Sequence, residues 1–65
     1  MSRVILFVDD EPDFAFFIEQ KYRKQIESGE YILHFAEDGH SALRLLEQFP
    51  DIELVFSDIN MRPMD

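Results

Sequence analysis

The sequence predicts an α/β fold built on a three-stranded parallel sheet of order 2-1-3. One observation is a continuous apolar run, which is typical of a strand buried on both faces. Another is apolar residues at spacings of three and four, which indicate amphipathic helices. The two patterns alternate over the 65 residues as strand, helix, strand, helix, strand. Such alternation favours parallel strands joined by right-handed crossovers.

The first strand is predicted at Val4–Val8, where every residue is apolar. Pro12 follows at a position that suits the first turn of a helix. That helix is predicted to run to Ser28, and Gly29 is expected to close it in a left-handed conformation. We expect its core stripe to consist of Phe14, Phe17, Ile18, Tyr22 and Ile26.

The second strand is predicted at Tyr31–Ala36. Asp38 is the expected N-cap of a second helix, which Pro50 ends. Its core positions are Ala42, Leu45, Leu46 and Phe49. A third strand is predicted at Ile52–Ser57, and residues 58–65 are predicted to form a loop.

Composition and charge narrow the classes of function. With 46% hydrophobic residues and seven phenylalanines, the chain is too apolar to be disordered, although its length allows only one small domain with a marginal core. The net charge of −8 argues against nucleic acid and anionic membrane surfaces as partners, and favours cations or basic partners. No cysteine is present, which excludes disulfides and thiolate metal sites. Without a signal-peptide pattern or a membrane span, a cytoplasmic location is expected.

Acidic residues follow two of the predicted strands. Asp9 and Asp10 come directly after the first strand, and Asp58 comes directly after the third. In the order 2-1-3 these two strands are neighbours about 4.8 Å apart, and the winding direction reverses between them. Ligands of open parallel sheets bind at that point, beyond the carboxyl ends of the strands. Converging carboxylates without His or Cys indicate a hard divalent cation such as Mg²⁺, beside which a remaining carboxylate could attack phosphorus.

Plainer interpretations of the same acids stay open. Acids around Pro12 also suit the positive end of a helix dipole. Asp58 on its own is compatible with a turn after a strand. Because Asp58 and the pair Asp9 and Asp10 are expected at the same edge of the sheet, a binding site is favoured over these interpretations.

Three segments resemble the N-terminal part of the response-regulator receiver domain of two-component signalling. They are VILFVDDEPD, FAEDGHSAL and LVFSDINMRPMD, in the family's order. The resemblance implies a partial flavodoxin-like fold and a phosphoacceptor module, not an enzyme. It implies that Asp58 accepts a phosphoryl group from a sensor histidine kinase or phosphotransfer protein. It also implies a Mg²⁺ site in which Asp10 and Asp58 ligate directly, Asp9 acts mainly through water, and Asn60 uses its backbone carbonyl; Glu11 is not expected to be a direct ligand.

The chain departs from the family in two ways. Arg62 follows Met61 where the family usually has proline, and Pro63 comes one residue later. A receiver is also roughly twice as long, so residues 1–65 are expected to be its truncated N-terminal half, without the later strands and helices or the Ser/Thr and Lys that contact the phosphoryl group. We therefore expect an incomplete switch, and a chain that forms a homo-oligomer or pairs with a complementing C-terminal half.

Two other functions remain as alternatives. One is a non-catalytic interaction fragment that self-associates or pairs with its missing half. The other is a Mg²⁺-dependent aspartyl phosphatase. Such phosphatases commonly have two aspartates on the first strand with one residue between them, whereas Asp9 and Asp10 are consecutive here. The short chain also leaves little room for a substrate pocket, so the phosphatase ranks below the other functions.

Overall fold

The structure is a computed structural model that describes residues 2–57. Its elements, in chain order, are β1 (Arg3–Val8), α1 (Phe14–Lys21), α2 (Arg23–Glu27), β2 (Tyr31–Ala36), α3 (Gly39–Gln48) and β3 (Leu54–Ser57). The strands form one parallel sheet with β1 at its centre, in the order β2-β1-β3. The predicted mixed α/β content and the strand order 2-1-3 are confirmed. The predictions for residues 58–65 fall outside the described residues.

The predicted order of one helix between each pair of strands is wrong. Two helices connect β1 to β2, because the chain leaves helical geometry at Tyr22, where φ is −110° and ψ is 27°. The Tyr22 N–H still donates to the Ile18 carbonyl at 3.0 Å. Aromatic residues are moderate helix formers, and the Tyr22 ring packs on Tyr31 of β2, with ring centroids 5.7 Å apart. Packing against the sheet thus overrides the helical periodicity of the sequence.

Alternate residues of β1 belong to two hydrophobic clusters on opposite faces of the sheet. Ile5 and Phe7 pack against Ile18 of α1 on what we call the α1 face. Leu6 and Val8 pack against Ala42 of α3 on what we call the α3 face. Successive side chains of a strand point to opposite faces, so a strand that is apolar at every position needs helices on both sides. The helices therefore lie on opposite faces, as right-handed crossovers to either side of β1 require.

The predicted position of one core residue and the predicted start of the third strand are wrong. Phe17 was expected in the core stripe but is 60% exposed. The sheet contacts of α1 run through Phe14 and Ile18, four residues apart, so Phe17 lies to the side. The third strand begins at Leu54 instead of Ile52. The Val4 N–H, a ladder donor, is taken by the Glu53 carboxylate at 3.2 Å, while Ile52 packs into the cluster of the α3 face.

Gly29 turns the chain from α2 into β2. Its φ of +83° lies in the left-handed region, as the sequence predicts. The Gly29 N–H donates to the Ile26 carbonyl at 3.1 Å and closes the end of α2. Among residues 2–57, no helix has the length and apolar character needed to cross a bilayer.

A matched pair of leucine substitutions tests this core. Leu6 is 0% exposed and Leu43 is 61% exposed. Leu6→Ala is expected to lower the free energy of unfolding by about 2 to 5 kcal/mol, because it leaves a cavity in the central strand. Leu43→Ala should change it by no more than about 0.5 kcal/mol. Urea unfolding followed by circular dichroism measures both, and similar losses in the two variants would contradict this description of the core.

Asp38 caps α3, as predicted. Its side chain accepts a hydrogen bond from the Ser41 N–H at 2.8 Å. The backbone and side-chain hydrogen bonds from Ser41 are the main reason why the pKa of the Asp38 carboxyl lies below its ordinary value of 3.8. The charged form is thus favoured in the folded state.

A pH dependence follows from the lowered pKa of Asp38. The stabilisation is fully present above the unfolded pKa of 3.8 and is lost as the pH falls through the lower, folded pKa. Asn keeps an oxygen that can accept the Ser41 N–H but cannot titrate. Asp38→Asn should therefore keep the cap at neutral pH and flatten the fall in urea midpoint at acid pH. A fall of unchanged steepness in Asp38→Asn would show that other carboxyls cause it.

Candidate functional site

The candidate site begins where β1 ends. The last pairs of the two parallel ladders are Val8 with Ala36 of β2 and Val8 with Ser57 of β3. The carboxyl ends of all three strands therefore meet at one edge of the sheet. Asp9 and Asp10 leave β1 at this edge, as predicted. Asp58 follows Ser57 in the sequence, and Asp58 and Asn60 lie outside the described residues.

Asp9 is held in place by its own backbone and by the next turn. Its N–H donates to the Ala36 carbonyl at 3.0 Å, which extends the ladder with β2 by one bond. Its side-chain Oδ1 accepts the Glu11 N–H at 2.7 Å. The half-buried carboxylate thus has one oxygen engaged by the main chain and a fixed orientation.

The acids beyond Asp9 lie on the turn that enters α1. Asp10, Glu11 and Asp13 are exposed. The Phe14 N–H donates to the Glu11 carbonyl at 3.1 Å, which forms the turn. Asp13 occupies the N-cap position of α1 but makes no side-chain capping bond. Capping by hydrogen bonding therefore does not account for Asp13, although the charge of these acids suits the positive end of the helix dipole.

An open acidic cleft lies beside Asp9 and Asp10. It has a volume of about 580 Å³ between the loop after β1 and the loop after β2. Glu37 and Ser41 line its far side, and Phe14, Phe35 and Ala36 form apolar parts of its wall. An acidic wall of this kind suits a cation or a cationic group.

Glu37 was not singled out from the sequence. It directly follows β2, as Asp9 directly follows β1, and Val8 pairs with Ala36. The signal that could have found it was therefore present, because the carboxyl ends of neighbouring parallel strands meet at one edge. The rule holds for the second strand as well as for the first and the third.

The donor chemistry of the described residues fits Mg²⁺ in part. Within residues 2–57, no group of three or more His, Cys, Asp or Glu side chains is placed to hold a metal ion. Asp9 and Asp10 supply two carboxylates at one loop. Mg²⁺ is usually held by one or two carboxylates and keeps several waters, so two hard oxygen donors at an exposed edge are compatible with it.

Comparison with known proteins gives no relative for this chain. No protein-family model matches it, and neither a curated protein nor a solved structure does.

Proposed function

We propose that the chain is a phosphoacceptor module of two-component signal transduction, with the start of a flavodoxin-like receiver fold. In this proposal Asp58 accepts a phosphoryl group from a phosphohistidine of a sensor histidine kinase or phosphotransfer protein. The observation that supports it best is the parallel pairing of β1 with β3, which ends at Val8 and Ser57. Helices on opposite faces of a sheet of order β2-β1-β3 also agree with the start of that fold.

The register supports a meeting of acids at this edge. Consecutive Cα atoms are about 3.8 Å apart, and neighbouring strands lie about 4.8 Å apart. Asp9 is one residue beyond Val8, and Asp58 is one residue beyond Ser57 in the sequence. Because each of these acids is only one residue away from the paired end of its strand, a shared site for the carboxylates is favoured.

The proposed chemistry divides the roles among the acids. A carboxylate oxygen of Asp58 forms a bond to phosphorus while the N–P bond of the phosphohistidine breaks. Asp10 and Asp58 would hold Mg²⁺ directly, Asp9 through water, and Asn60 through its carbonyl. Bound Mg²⁺ would neutralise the charge on the phosphoryl oxygens. The Glu11 N–H holds one carboxylate oxygen of Asp9 in place at 2.7 Å.

A second function, the non-catalytic interaction fragment, is favoured by one observation. Leu54, Val55 and Phe56 of β3 are exposed although they are large and apolar. Exposed apolar surface of this kind commonly marks an interaction site. The two functions are compatible, because Asp9 and Asp10 lie beyond the carboxyl end of β1 and the exposed side chains lie along β3.

Phosphorylation is tested with a small phosphodonor. After incubation with acetyl phosphate and Mg²⁺, intact mass spectrometry should show a labile gain of one phosphoryl group. Asp58→Asn should abolish the gain because it removes the nucleophile, while Asp51→Asn, a change in an exposed turn, should leave it intact. An adduct that persists in Asp58→Asn contradicts the proposal. Turnover without a retained adduct would favour a phosphatase, and the absence of both would favour the interaction fragment.

Magnesium binding is tested with adjacent acids on one loop. Asp10→Ala and Asp58→Ala should each weaken Mg²⁺ binding by about tenfold or more, since even outer-shell changes commonly cost that much. Glu11→Ala should have a small effect, because the bond to Asp9 comes from the Glu11 main chain. Isothermal titration calorimetry measures all three. Equal losses in the three variants would indicate general attraction by acidic surface instead of a site.

A further inference from the structure

We draw no further inference here: the strongest candidate, the apolar groove over β3 on the α1 face of the sheet, carries nothing because no observation among residues 2–57 shows what covers it.

Discussion

The parallel pairing of β1 on both of its edges is the constraint on which the rest of the structure depends. β1 bonds to β2 on one side and to β3 on the other, and its residues Val4–Val8 are buried. Because successive side chains alternate between faces, this strand can be buried only if something apolar packs on each face. The chain meets that requirement with α1 and α3 on opposite faces, which fixes the reversal of winding at β1. The edge with Asp9 and Asp10 is a consequence of the same reversal.

The parts of the fold that could be predicted are those in which local pattern and tertiary packing agree. Tyr31–Ala36 was predicted with the bounds that the structure has, and β1 extends the predicted strand by Arg3 alone. The Asp38 cap and the left-handed Gly29 each depend on one residue and its neighbours, so sequence is sufficient for them. The break at Tyr22 and the late start of β3 depend on contacts with distant residues, Tyr31 and Val4, and no local periodicity reports them.

The candidate site, like the fold, could be predicted only where it depends on local sequence. Asp9 and Asp10 could be located at the end of β1 because the buried apolar run ends at Val8, and the acids that follow it must lie beyond the carboxyl end of that strand. The orientation of Asp9 could not be predicted, because it depends on a turn that brings the Glu11 N–H to within 2.7 Å of Oδ1. Glu37 was within reach of the same rule, since it follows the strand paired with Val8. The roles of Asp58 and Asn60 stay predictions from the resemblance.

Asp9 lies where the two clefts of the described residues meet, since it lines both the acidic cleft and an apolar groove of about 610 Å³ on the α1 face. Its Oδ1 accepts the Glu11 N–H at 2.7 Å, so the negative charge of Asp9 is held beside the carboxyl end of β1. In the proposed function, Mg²⁺ bound near Asp9 would neutralise negative charge at this edge, and a phosphoryl group on Asp58 would restore it. Phosphorylation would therefore change the electrostatic potential beside both clefts through charge alone, without movement of the strands.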